Sequence, residues 1–187
     1  MRYYDLVDDM SSPNRWHVGE ITLSDGSEPH LRIGVPLDSD LPLRAAVHHE
    51  GPALEFSLTS FAVPIATEKL AKVVRNLAGA DVQCLPLEIE GHERRVVLNV
   101  LRIVNCVDER LSKFTKWTLK DHRADLAGQY HSITRLILDT NRIPKDAHIF
   151  RLWGFRVALI VSEELREAMQ HVGCKGADFR EVTPPLN

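Results

Sequence analysis

Two stretches with the same pattern organise this chain: FAVPIATEKL, residues 61–70, and RVALIVSEEL, residues 156–165. In each, an apolar run meets a Thr or Ser, one or two Glu follow, and a helical pattern of apolar residues begins. A hydroxyl at this position accepts a hydrogen bond from the first turn of a helix, and a carboxylate there favours the positive end of the helix dipole. Both stretches therefore predict a strand that leads directly into a helix.

The two helices are predicted at about 67–78 and about 163–172. Their apolar residues recur every three or four positions, which gives each helix one apolar face: Leu70, Val73, Val74 and Leu77 in the first, and Leu165, Ala168, Met169 and Val172 in the second. The units align as TEKLAKVVRNLAGADV and SEELREAMQHVGCKGADF. The likeness indicates either a duplicated element or the caps, apolar face and Gly stop that any helix after a strand would use.

The other apolar runs predict strands. VQCLPLEI, 82–89, and RRVVLNVLRIVNCVD, 94–108, are separated by a turn and predict a hairpin. Pro86 places the first run at a sheet edge or a bulge, and the continuous apolar character of the second predicts burial on both faces. DERLSKFTKW, 108–117, predicts a short helix, whereas the turn-rich start of the chain predicts short extended pieces, among them 31–35.

Together these elements predict an α+β fold, with a largely antiparallel or mixed sheet on which two short amphipathic helices pack. The length of 187 residues suits a single domain, 1–187, and is sufficient to bury a core. Within it we expect a turn-rich N-terminal third at about 1–55 and a short C-terminal tail at 183–187.

Composition argues against several classes of protein. A net charge of −3 lacks the basic excess of a nucleic-acid-binding protein, and no apolar run approaches the length of a membrane span. The start, MRYYDLVDDM, has aromatic and acidic residues where a signal peptide has an apolar stretch. The three Cys are widely spaced, with no CxxC pair, which predicts free, buried thiols in a cytoplasmic protein.

No motif that carries chemistry is present: the chain has no GxxxxGK[ST], GxGxxG, GxSxG or HExxH. The one cluster of metal-binding residue types, His48-His49-Glu50, is predicted in a loop and lacks convergent ligands. Each of the three Trp is a candidate for either the core or an interface, and Trp153 is predicted in the core. No catalytic residue, cofactor site or metal ligand is predicted.

Several motifs resemble immunity protein family 11 of bacterial polymorphic toxin systems. RLWGFRVALIVSEELREAMQHVGCKGADFREV, 151–182, is similar to its C-terminal signature, in which a Trp precedes a strand–helix junction. LEFSLTSFAVPIATEKLAKVVRNLAGADVQCLPLEIEG, 54–91, and NVLRIVNCVDERLSKF, 99–114, resemble the preceding unit and the middle strand. YYDLVDDMSSPNRWHVG, 3–19, looks like the start of such proteins, so the resemblance covers most of the chain except 36–52.

This resemblance implies a non-enzymatic protein that binds and neutralises a cognate toxin domain. If that toxin is a nuclease, its basic cleft would favour an acidic surface here. The candidate partner-binding residues are then Asp38, Asp40, Glu50 and Glu55, together with Asp8-Asp9. Two alternatives stay open: a small enzyme that reverses a toxin's modification, and a regulatory module that binds a small molecule in a deep apolar pocket.

Overall fold

Both predicted helices are present in the computed structural model, which describes residues 1–183 of the chain. The first, α1, spans Glu68–Ala78, and the second, α2, spans Glu163–His171. Thr67 Oγ1 accepts a hydrogen bond from the Leu70 amide at 3.4 Å, and Ser162 Oγ accepts one from the Leu165 amide at 3.2 Å. The predicted N-caps are therefore confirmed.

Thirteen strands lie within residues 1–183, numbered here in chain order. They are β1 Tyr3–Asp8, β2 His17–Leu23, β3 Leu43–His49, β4 Phe56–Leu58, β5 Pro64–Ala66, β6 Val82–Ile89, β7 Arg95–Val100, β8 Ile103–Val104, β9 Lys113–Lys116, β10 Tyr130–Arg135, β11 Ile149–Leu152, β12 Phe155–Ser162 and β13 Ala177–Glu181. The α+β fold class is confirmed, although the strands divide among three sheets.

The two larger sheets are mixed. One has five strands in the order β13-β1-β12-β11-β8, and the other has six in the order β2-β3-β6-β7-β5-β4. All neighbours are antiparallel except β3 with β6 and β8 with β11. The third sheet is the β9–β10 ribbon. The predicted β6–β7 hairpin is confirmed, and every residue of β7 is buried, as its continuous apolar run predicts.

The two strand–helix–strand units have the same topology. In the first, β5, α1 and β6 cross over β7, which is antiparallel to both strands. In the second, β12, α2 and β13 cross over β1 in the same way. The sequence likeness between the units therefore extends to their position in the sheets.

The helices lie side by side and share one core with both large sheets. Leu70 and Val74 of α1 and Leu165 and Met169 of α2 are buried there, with apolar residues from both sheets. A second buried cluster joins the opposite face of the five-stranded sheet to the β9–β10 ribbon, and a third, which contains Trp16, lies on the six-stranded sheet. The helices and the ribbon therefore cover opposite faces of the five-stranded sheet. A surface groove lies on the side that the ribbon covers.

Four local predictions are corrected. Residues 108–117 contain the strand β9 and no helix, because Phe114 alternates with exposed residues and pairs with β10. Residues 31–35 form turns and bends, and His48 and His49 end strand β3 and do not lie in a loop. Pro86 lies in β6, an interior strand between β3 and β7. At Pro86 the strand pairs only with β7, because the pairing with β3 begins one residue later, at Leu87.

The predicted C-terminal tail begins at Thr183, whose hydroxyl accepts a hydrogen bond from the Tyr3 amide at 2.7 Å. Its other residues, 184–187, lie outside the described part of the chain. Within residues 1–183 no helix is long and apolar enough to cross a membrane.

Candidate functional site: an arginine groove

The surface of the protein has an open groove with a volume of about 570 Å³. Three segments line it: residues 32–33 of the N-terminal loop, residues of the β9–β10 ribbon between 117 and 131, and residues 154–157 at the start of β12. We call it the arginine groove, because Arg32 and Arg156 both line it, among aromatic and aliphatic side chains. Its volume is in the range of ligand pockets, but its open, shallow form is more typical of a surface that contacts a macromolecule.

The β11–β12 turn forms one end of the groove. Gly154 has a φ of 75°, a conformation that favours glycine, and its carbonyl accepts a hydrogen bond of 3.0 Å from the Tyr130 amide. This bond attaches the ribbon to the turn. Trp153, in the same turn, is 50% exposed, so its predicted place in the core is wrong. Its amide donates a hydrogen bond of 2.9 Å to the carbonyl of Val104 in β8, so the backbone stays attached to the sheet while the side chain is half exposed.

Trp117 forms part of the wall of the groove, just after the end of β9. Its ring packs edge-on against His131, with centroids 4.1 Å apart, and against His122 at 5.3 Å. The Trp117 amide and carbonyl bond to Gln129 and Gly128, each at 2.9 Å, which holds the backbone of this wall. The groove therefore presents an indole that is held in place by its neighbours.

The exposed aliphatic side chains of the groove are Ile33, at 40%, and Val157, at 46%. Arg32 and Arg156 accompany them, and neither forms an ion pair with residues 1–183. The Arg32 guanidinium lies 5.9 Å from the Phe61 ring centroid, within the range of a cation–π contact. Burial lowers the pKa of Arg32, against the nearby charge of Glu28, which raises it.

Beneath the groove lies a third arginine, Arg151 of β11, which is completely buried. Its guanidinium donates hydrogen bonds to the carbonyl oxygens of Arg156, at 2.6 Å, and Ala62, at 2.9 Å. Its Nε has no partner among residues 1–183, and no carboxylate pairs with it there. Burial, together with repulsion from Arg32, lowers the pKa of Arg151 to about 9, which still leaves it charged at neutral pH.

No Asp or Glu among residues 1–183 lines the arginine groove. In the loop between β9 and β10, Asp121 accepts hydrogen bonds from Thr118, and Asp125 accepts hydrogen bonds from Arg123. Glu28 lines a separate small pocket of about 90 Å³ that shares Arg32 with the groove. The groove is therefore locally cationic in a protein whose net charge is −3.

The acidic residues predicted from the sequence are dispersed. Asp38 and Asp40 are exposed in the loop before β3, whereas Glu50 follows β3 and lies 3.4 Å from His92. A strand of seven residues separates the two positions by about 20 Å. Glu55 is half-buried and accepts a hydrogen bond from the Lys175 amide at 3.2 Å. Their role in partner binding stays a prediction.

The pair Asp8-Asp9 has structural partners. Asp8 forms an ion pair of 2.7 Å with Arg15 and accepts a hydrogen bond from the Leu58 amide at 2.8 Å. Asp9 accepts two hydrogen bonds from Ser11. These contacts connect β1 to the loop after it and to β4, so both carboxylates contribute to local structure.

The thiols follow the sequence prediction in part, because Cys106 is buried whereas Cys84 and Cys174 are only half-buried. Cys84, Cys106 and Cys174 are free, and burial raises the pKa of each, to about 12 for Cys106 and Cys174. Such groups stay protonated at neutral pH and are poor nucleophiles. In the part of the chain that the structure describes, no cluster of three or more His, Cys, Asp or Glu is placed to hold a metal ion.

Sequence reasoning missed the arginine groove because its walls come from segments that are far apart in the chain. Arg32, Trp117 and Arg156 share no motif or spacing. The available signal was a short stretch, RLWGFRV, in which two Arg flank two aromatic residues and a turn glycine.

Comparison with known families gives a match over the C-terminal half of the chain. The family model described as Imm11, an immunity protein family, matches residues 87–184, which is more than half of the chain. The chain belongs to this immunity protein family. No curated protein matches it. Membership implies a role in immunity against toxins and suggests a toxin as protein partner, and the family is generally non-catalytic. The match includes the groove residues from Trp117 to Val157 but not Arg32 and Ile33.

Proposed function

We propose that this protein binds a cognate toxin domain and neutralises it by stoichiometric association, without catalysis. The observation that carries the proposal is the arginine groove. It combines Trp, Tyr, Phe and Arg side chains with exposed Ile33 and Val157. Aromatic residues and Arg are enriched at protein interfaces and are over-represented among the few residues that dominate the binding energy.

The proposal includes the setting expected from the sequence. The chain acts as one domain, in the cytoplasm, as the immunity partner of a polymorphic toxin, and it requires no cofactor, nucleic acid or membrane. Two contacts support treatment as one domain: the helices share a core with both large sheets, and Arg151 bonds to the turn between β4 and β5. A stable complex of this kind buries roughly 1,600 Å², more than the groove alone provides.

The additional area leaves room for the acidic residues proposed from the sequence. Asp38 and Asp40 are exposed and lie beside an open cleft of about 260 Å³ that Leu41 and Leu85 also line. Glu50 is exposed at the other end of β3. Asp38→Asn with Asp40→Asn, and Glu50→Gln separately, test whether either region contributes to toxin affinity. Glu55 is tested by Glu55→Gln, with folding as a control because of its bond to Lys175.

The function is tested with the toxin domain that is encoded next to this protein. Co-expression is expected to restore growth, and an active-site variant of the toxin is expected to co-purify with this protein as a one-to-one complex. When the purified protein is titrated into an assay of the toxin's activity, we expect the activity to be lost completely at one equivalent. A verified toxin that neither binds nor is inhibited would contradict the proposal.

The same titration separates binding from catalysis. An enzyme that reverses the toxin's modification would restore the modified target when present in far less than one equivalent of the toxin, and it would do so after the toxin is removed. An inhibitor acts only in proportion to the toxin that it occupies. If a trace amount of this protein restores the modified target, the enzymatic alternative would replace the proposed function.

A further inference from the structure

We propose that the arginine groove is the docking site for an acidic segment of the toxin, in which a carboxylate side chain is flanked by apolar side chains. The inference rests on the proposed function and assigns the chemistry of its interface. It differs from the expectation of an acidic surface on this protein, because the charge at this surface has the opposite sign.

Charge is the first argument. Arg32 and Arg156 have no carboxylate partner among residues 1–183, and Arg151 adds a buried positive charge below them. A bound carboxylate would pair with the exposed guanidinium of Arg156 and the partly buried one of Arg32, and a forked guanidinium can donate two hydrogen bonds to one carboxylate. The charge of Glu28 acts on Arg32 without forming an ion pair, so both guanidinium groups remain available to an anionic side chain of a partner.

The apolar lining is the second argument. Ile33 and Val157 are exposed beside the arginines, and Trp117 and Phe155 are half-buried in the walls. A simple anion would leave these surfaces in water, whereas a peptide segment would cover them with its neighbouring side chains. Burial of such area favours binding by about 25 cal/mol per Å² before the costs of association.

The third argument is that the fold holds the arginines in position. Arg151 bonds to the carbonyl of Arg156 and to that of Ala62, next to Phe61. Phe61 in turn lies under the Arg32 guanidinium. One buried residue therefore holds the backbone of Arg156 and of the turn that carries Phe61, whose ring contacts Arg32, and this preorganisation lowers the entropy lost on binding. Arg151 is a positioning residue, since its side chain does not reach the groove surface.

A segment of protein fits these features better than a nucleic acid. Single-stranded nucleic acids need a cationic track along several phosphates, together with stacking surfaces. Here the groove arginines are confined to one point, and the exposed loop beside Trp117 adds no net charge, since Asp121 and Asp125 balance Lys120 and Arg123. A polyphosphate chain that continued past the arginines would meet no continuous cationic track there.

The test compares charge-reversed variants with a matched control by calorimetry against the inactivated toxin domain. Arg156→Glu and Arg32→Glu are each expected to raise Kd at least about tenfold, the effect of about 1.4 kcal/mol. Lys72→Glu makes the same change of charge on α1, which packs on the other face of the sheets, and is expected to leave Kd within about twofold. Arg156→Ala serves as a milder variant, and circular dichroism verifies that each variant folds.

Three results would overturn the inference, and they differ in what they mean. A complex whose Kd is unchanged in Arg156→Glu and Arg32→Glu would exclude the groove as the docking site but leave the proposed function intact. The absence of any complex with the wild-type protein would remove both. Binding of a fluorescein-labelled thymidine oligonucleotide that Arg156→Glu abolishes, with toxin binding unaffected, would assign the groove to nucleic acid.

A charge swap between the two proteins would give positive evidence for the proposed docking site. If the groove holds a carboxylate, one Asp→Lys or Glu→Lys variant of the toxin should weaken binding to the wild-type protein and recover affinity with Arg156→Glu. Affinity and association rate should also fall with increasing salt, and less steeply for Arg156→Glu than for Lys72→Glu.

Discussion

Arg151 on β11 donates a hydrogen bond of 2.9 Å to the carbonyl oxygen of Ala62, in the turn between β4 and β5. This contact joins the five-stranded sheet to the six-stranded sheet through a fully buried cation without a carboxylate partner in residues 1–183. A buried charge is unfavourable unless polar groups solvate it. Two backbone carbonyls serve that purpose here, and the same bonds hold the segments that carry Phe61 and Arg156.

We expect Arg151→Met to lower the free energy of unfolding by about 1–3 kcal/mol, because two buried carbonyls lose their donor while the apolar stem is conserved. Urea denaturation monitored by tryptophan fluorescence measures the change. Arg151→Lys should be destabilising as well, since one ammonium cannot reproduce the fork that reaches both carbonyls. An unchanged or higher stability of the Met variant would show that desolvation of the charge outweighs its hydrogen bonds.

Asp5 on β1 should make stability depend on pH. Burial raises the pKa of Asp5 to about 6, against hydrogen bonding from the Leu159 amide and the charge of Arg180, which lower it. Between about pH 4 and pH 6 the folded chain then binds more protons than the unfolded chain, so the free energy of unfolding falls as the pH rises through this window.

Asp5→Asn removes this ionisation and keeps an acceptor for Leu159. The variant should match the wild type at pH 4 and exceed its stability by on the order of 2 kcal/mol at pH 7. Chemical denaturation at pH 4, 5, 6 and 7 gives both curves. Parallel curves would mean that the Asp5 carboxylate is solvated in the folded protein.

The two N-caps should differ in their contribution to stability. Thr67→Ala removes one capping hydrogen bond and is expected to lower the free energy of unfolding by about 1 kcal/mol. Ser162 is fully buried, and its hydroxyl also bonds to the His148 ring at 2.9 Å. Ser162→Ala should therefore be the more destabilising change, and a smaller effect than that of Thr67→Ala in the same urea series would contradict this expectation.

The thiols should be unreactive in the folded protein. Because burial raises the pKa of Cys106 and Cys174 to about 12, the reactive thiolate is rare at pH 8, and Ellman's reagent should label these residues only after unfolding. Cys84 is half-buried beside an open cleft under α1 and should react first. The Cys84→Ser variant checks this order: a fast native phase that survives the substitution would contradict the expected burial of the other two thiols.

Local sequence determined the helices, their caps and the β6–β7 hairpin. A cap needs only a hydroxyl three residues before the amide that it accepts from, and an apolar face needs only the helical period. Both conditions lie within one short segment, as Thr67 with Leu70 and Ser162 with Leu165 show. The burial of Cys106 was also predictable, because it lies within an apolar run, whereas Cys84 lies in a similar run and is only half-buried. The family motifs indicated the immunity family, which the match over residues 87–184 established.

Only the tertiary structure decided how the strands divide and which surface is cationic. The apolar run of β7 continues into β8, yet the chain changes sheets between Val100 and Ile103, because pairing partners are chosen over long sequence distances. Trp153 is apolar in sequence but exposed, since a turn places it beyond the end of its sheet. Arg32, Arg151 and Arg156 form one cationic site because β11, β12 and the N-terminal loop converge there, and charge acts through space and not along the chain.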